Sequence, residues 1–166
     1  YWLPDKTEHT ITELGVEPPA DALYDGPPPP TFEEIQQNIL LQVTSMASRT
    51  RAAVAENADQ YKVAGWLNKE MRARRILDST ATAIDLTVQG IESAQRGKSE
   101  TAEILAQKQL LRADALGQAV ALIDGLEEST LEAVAAATTE TAANAALMTL
   151  ISTFESAFSI TLTSQA

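Results

Sequence analysis

The chain has 166 residues, with one histidine, His9, and no cysteine. The lack of cysteine removes a disulfide scaffold, a cysteine nucleophile and a thiolate zinc site. A single His with no second His or Cys makes no strong transition-metal cluster. No glycine-rich loop has phosphate-binding spacing, and no G-x-S-x-G elbow occurs. Asp78 and Asp85 are seven residues apart and would share a face of one helix. Helix carboxylates that hold metal are typically combined with Glu-x-x-His pairs, and none is present. A helical enzyme working through surface carboxylates would therefore need a divalent metal that elemental analysis could detect. Lys69, Arg72, Arg74 and Arg75 form the one basic cluster. It suits a carboxylate or a phosphate, but pairing with the chain's own excess acids is the simpler reading. The expectation is a non-enzyme with no catalytic, metal or cofactor site.

Charge narrows the partners. The chain carries 23 acids against 12 bases, for a net charge of −11. Phosphate binding needs concentrated Lys and Arg, so free nucleic acid is not expected. No Lys or Arg follows Arg112, whereas Asp114, Asp124, Glu127, Glu128, Glu132, Glu140 and Glu155 do. An acidic, solvated surface is the simpler meaning of that asymmetry, and an acidic partner-facing surface is the functional one. The most apolar window, Ala142 to Ile160, is interrupted by Asn144 and Glu155 and falls short of a membrane span. The first residues have neither a leader pattern nor an initiating Met, as expected of a start inside a longer product.

The elements follow from the junction Pro27-Pro28-Pro29-Pro30-Thr31-Phe32-Glu33-Glu34. Four prolines dictate an extended polyproline connector. Thr31 then caps a helix, with Glu34 completing a capping box. Residues 1–30 read as an irregular segment with a short strand at Glu8–Leu14, where Thr10, Ile11 and Thr12 suit one. Residues 31–166 read as a helical domain. The first helix runs from Thr31 to about Asn57 on the stripe Phe32, Ile35, Ile39, Val43, Met46, Thr50 and Val54. A second lies between Trp66 and Gln95 on Leu67, Met71, Leu77, Ala81, Ile84, Val88 and Ile91, and Gly97 ends it. Ser99 caps a third, which carries Ile104, Leu111, Ala115, Ala119 and Leu122 to about Asp124 and stops at Gly125. An Ala-rich helix through Leu131 and Val134 follows, weakened at Thr138, Thr139 and Thr141. The stripe Leu147, Leu150, Ile151, Phe154 and Phe158 comes next. Phe158, Ile160 and Leu162 then alternate with polar residues at strand period. The fold class is mainly α, with short terminal strands as an option.

The order of parts resembles the tail-fibre assembly proteins of bacteriophages and phage-tail-like bacteriocins. The likeness rests on the connector Asp25-Gly26 through Ile35, the long helix after it, Gln95-Arg96-Gly97-Lys98-Ser99-Glu100-Thr101-Ala102-Glu103-Ile104-Leu105-Ala106, and the ending Ala121-Leu122-Ile123-Asp124-Gly125. It covers most of residues 20–135 as a likeness of layout. It implies a cytoplasmic chaperone that caps a trimeric, β-rich fibre while it folds, without nucleotide or metal, and that leaves or stays on the particle. Long intertwined β structures form slowly and expose unpaired edges meanwhile, which gives such capping a physical purpose. The alternative is a structural helical subunit of a virion, tail-like particle or secretion apparatus that self-associates through its Ala-rich stripes. The contact residues expected for a partner are Trp66, Leu147, Leu150, Ile151, Phe154, Phe158, Ile160 and Leu162. Core packing is the competing assignment for Trp66 and the helical stripe.

Overall fold

The computed structural model describes residues 29–160 and 162. The strand candidate Glu8–Leu14 lies outside them. The described residues form five helices and no strand: α1 (Phe32–Val54), α2 (Gln60–Leu77), α3 (Ala83–Gln95), α4 (Ala102–Ala136) and α5 (Glu140–Phe158). The fold is mainly α, as the composition indicates.

Every helix begins on a short polar side chain that accepts from a first-turn backbone N–H. Thr31 accepts from Glu34, Asp59 from Lys62, Thr82 from Asp85, Thr101 from Ile104 and Thr139 from Ala142. Thr31 and Thr82 form full capping boxes with Glu34 and Asp85. Four helices end in left-handed residues, at Glu56 and Asn57 after α1, Ser79 after α2, Gly97 and Ser99 after α3, and Ser159 after α5. The helix expected between Trp66 and Gln95 is therefore two helices, parted at Asp78–Thr82 by the Ser79 turn and the second capping box. Ser99 does not cap α4; it lies in the turn at φ 53, and Thr101 caps instead. Gly125 does not stop α4, which continues to Ala136. One helix-interior glycine costs only about 1 kcal/mol, so tertiary packing can override it.

α4 is the spine. Gln36 Nε2 donates to the Val134 carbonyl at 2.8 Å. Arg51 pairs with Asp124 at 2.6 Å and also with Glu127. Arg74 reaches Asp114 at 3.4 Å, and Ala73 and Ile76 pack with Ala106. Read in order, these contacts run backwards along α4, so α1 and then α2 lie antiparallel to it. α5 returns beside α4 and α1. Two lobes result. The first combines α1, α5 and the second half of α4; the other combines α2, α3 and the first half of α4.

The first lobe has an apolar core: Ile39, Val43, Met46 and Ala47 from α1, Ile123 and Val134 from α4, and Leu147, Leu150, Ile151 and Phe154 from α5. Phe158 packs on it, with its ring 6.1 Å from that of Phe154. The strand-like alternation at 158–162 does not become a strand among the described residues. α5 is helical through Phe158, Ser159 turns left-handed, and Leu162 folds back onto the core with its N–H donated to Glu155 Oε1 at 2.8 Å.

Candidate protein-binding surface

The second lobe is built the other way round. On α3 the buried residues are Asp85, Gln89 and Ser93, one turn apart on one face. The opposite side carries Ile84, 75% exposed, with Ile91 at 58% and Val88 at 39%. An ordinary surface helix turns its apolar stripe inward. α3 turns its polar stripe inward and its apolar stripe to solvent. Of the two basic residues just past its C-terminus, Arg96 and Lys98, Arg96 is turned toward Glu100 at 3.2 Å.

A polar network holds α3 in that roll. Arg75 donates two hydrogen bonds to Asp85, at 2.9 and 2.6 Å. The Thr82 backbone and hydroxyl donate to the same carboxylate at 3.0 and 2.9 Å. Arg75, then Thr82, hold the Asp85 carboxyl well below the usual carboxylate range. Gln89 Nε2 donates to Gln109 Oε1 at 2.9 Å, and Arg72 donates to Gln89 Oε1 at 3.4 Å. The Ser93 hydroxyl donates to the Glu100 carbonyl. Glu92 pairs with Lys69 at 2.7 Å and Arg72 at 3.6 Å. Lys108, and then the field of Arg96, lower the Glu100 carboxyl. Rolling α3 over would strand these groups without partners, which costs more than an open apolar stripe.

The basic cluster is absorbed by this network. Lys69, Arg72, Arg74 and Arg75 each engage one of the chain's own carboxylates. Asp78 and Asp85 do not share a helix face; Asp78 caps the end of α2, and Asp85 sits in the first turn of α3. No three His, Cys, Asp or Glu side chains group as metal ligands among the described residues.

Comparison with protein-family models, curated proteins and solved structures finds no match. The functional reading therefore rests on the surfaces themselves.

The expected contact residues separate on the structure. Leu147, Leu150, Ile151 and Phe154 are buried in the first lobe's core, so α5 would have to detach before they could meet a partner. Phe158 and Leu162 pack against that core, and Ile160 is half-buried. Trp66 is half-buried on α2, with Lys62 Nζ 5.6 Å from its ring centre. The apolar stripes of the second and third expected helices are the ones left open. On α2, Leu67 and Met71 are exposed; on α4, Ile104, Leu111 and Leu122 are exposed. In α4 the residues that pack inward are Leu105, Ala106, Ile123 and Val134, each at 0%. Periodicity located these stripes but not their outward direction. The signal that could have revealed it was the polar stripe Asp85, Gln89 and Ser93, preceded by Thr82 and faced by arginines one helix earlier.

Among the described residues, no helix is long and apolar enough to cross a membrane.

Proposed function

We propose that this chain is a protein-binding assembly chaperone for a trimeric, β-rich fibre of the phage-tail type, acting in the cytoplasm of a bacterial or infected cell. It works by non-covalent capping and uses no nucleotide or metal. The observation that supports this reading is α3, an apolar helix face held outward by a polar network. Its outward residues, Ile84, Thr87, Val88, Gly90, Ile91 and Ala94, include no charge. Depletion of charge and a well-supported apolar centre are what a protein interface core needs. A short helix of this kind suits an apolar groove or an unfinished sheet surface on a fibre subunit.

The test is co-expression of the full chain with the fibre polypeptide of the same host. Soluble trimer yield and co-purification are the readouts. The double variant Ile84→Glu with Ile91→Glu removes two apolar anchors and should weaken capture roughly 100-fold. Because both side chains are solvent-facing, unfolding free energy should stay within about 0.5 kcal/mol. Undiminished capture by the variant rejects the docking face. A fibre that trimerises equally well without the chain rejects the chaperone reading.

A further inference from the structure

We propose that the polypeptide docked on α3 sets Asp and Glu side chains beside its apolar anchors. This rests on the α3 docking reading and names the partner's chemistry. Charge around the open stripe is layered. α3 itself carries only two charged residues, Asp85 and Glu92, and both are turned to the network. In three ion pairs beside the stripe the carboxylate lies inside and the cation outside. Lys69 is 42% exposed over Glu92 at 22%, Arg75 39% over Asp85 at 10%, and Lys108 51% over Glu100 at 6%. Arg72 lies deeper and gives Glu92 a second cation, as Arg96 does for Glu100. Lys98, exposed in the turn before α4, adds its field to Glu100.

These cations follow the outline of the stripe. Lys69, Arg72 and Arg75 are spaced three apart, a row along one side of α2. They reach Glu92, Gln89 and Asp85 in turn, so the row runs along one flank of α3. Arg96, Lys98 and Lys108 gather around Glu100, beyond the helix C-terminus. Asp78, just before α3, is an exposed acid at the other end. Glu103 lies about 120° around α4 from Gln109, the residue that meets α3, and so on another side of that helix. The chain as a whole carries −11, which makes this border a local departure from its field. Long-range attraction would favour a basic partner, whereas contact with the border favours an acidic one. An apolar centre with complementary charge at its rim fixes register and rejects wrong partners.

Three short synthetic peptides test this. They share one apolar core and carry Glu, Gln or Lys at its flanks. Fluorescence anisotropy with the full chain, at about 0.15 M salt, reads their affinities. The Glu peptide should bind roughly 10-fold tighter than the Gln peptide, from about two or three exposed charge pairs, and the Lys peptide should bind weakest. Lys98→Glu lies outside the hydrogen bonds that hold α3. It should weaken the Glu peptide about 5-fold and leave the Gln peptide unchanged. Ile84→Glu with Ile91→Glu should abolish binding of the Gln peptide. Equal affinities that this double variant removes would leave the docking face standing and overturn the acidic partner. A Lys peptide that binds as tightly as the Glu peptide does the same. No binding by any peptide, or binding that the double variant leaves intact, overturns the docking face and this inference with it. Affinity that weakens as the chain is concentrated means that a second copy takes the face, and overturns the inference as well.

Discussion

Phe154→Ala tests whether the two lobes form one cooperative unit. Phe154 is at 0% exposure, among the core residues of α1, α4 and α5, with Phe158 packed beside it. Truncating a fully buried Phe removes its transfer free energy and leaves a cavity, for a loss of about 3–5 kcal/mol. The surroundings are themselves a filled apolar core, so little collapse is available, and about 4 kcal/mol is expected. For a domain of this size, 1 kcal/mol moves the melting temperature by about 2–4 °C, which gives a fall of roughly 8–16 °C. The second lobe has only a thin apolar cluster, Ala73, Ile76 and Ala106, and shares α4 with the first. Losing the first lobe removes half of that helix's support, so both lobes should melt together. Urea and thermal denaturation followed by circular dichroism, with a calorimetric scan for cooperativity, give the answer. A loss under 1 kcal/mol would show that α5 is not packed as described. Two transitions, only one of them moved, would refute the coupling through α4.

Four further outcomes are expected. Gly125→Ala lies in the α4 interior with nothing within 4 Å of the added methyl, and should stabilise by about 0.5–1 kcal/mol in urea titrations. Ser159→Gly relieves a left-handed residue at φ 52 after α5 and should add up to about 1 kcal/mol by the same measurement. Thr31→Ala removes the α1 cap and its box with Glu34, costing about 1 kcal/mol. Asp85 has a carboxyl pKa lowered in the fold, so its stabilisation is complete above the unfolded value near 4 and is lost as pH falls toward the folded one. Asp85→Asn should therefore flatten the acid limb of stability between about pH 5 and pH 2, seen as a smaller shift in urea midpoint.

Much of the first lobe was legible in the sequence. Thr31 and Glu34 are a local signal that needs no tertiary information, and the α1 stripe is buried at Ile39, Val43, Met46 and Thr50. The stripe Leu147 to Phe154 reads as helical, and the structure places it in the core. The second lobe was less legible because a period identifies a face without giving its direction. Leu67, Met71, Ile84 and Ile91 look like core, while Asp85, Gln89 and Ser93 look like a solvated side. The inversion depends on arginines from α2 that only the fold brings opposite them. The break at Asp78–Thr82 was legible in principle, since Thr82 and Asp85 repeat the spacing of Thr31 and Glu34. The alternation at 158–162 gave way because α5 stays helical through Phe158 and Leu162 is buried by returning to the core, with no strand among the described residues for it to pair with.

The unbroken course of α4 makes it a ruler between the lobes. Its inward residues Leu105, Ile123 and Val134 belong to one helix, so the distance and the angle between the two packed ends are counted in residues. Inserting one residue near Gly117 would push the lobes apart by about 1.5 Å and turn one against the other by about 100°. The α3 face would then point in a new direction, with every contact inside each lobe unchanged. Inserting seven would restore the angle to within about 20° and lengthen the span by about 10 Å. Length changes in this helix should thus be tolerated in steps near whole turns, and the aim of α3 relative to the first lobe is a property of chain length as much as of any side chain.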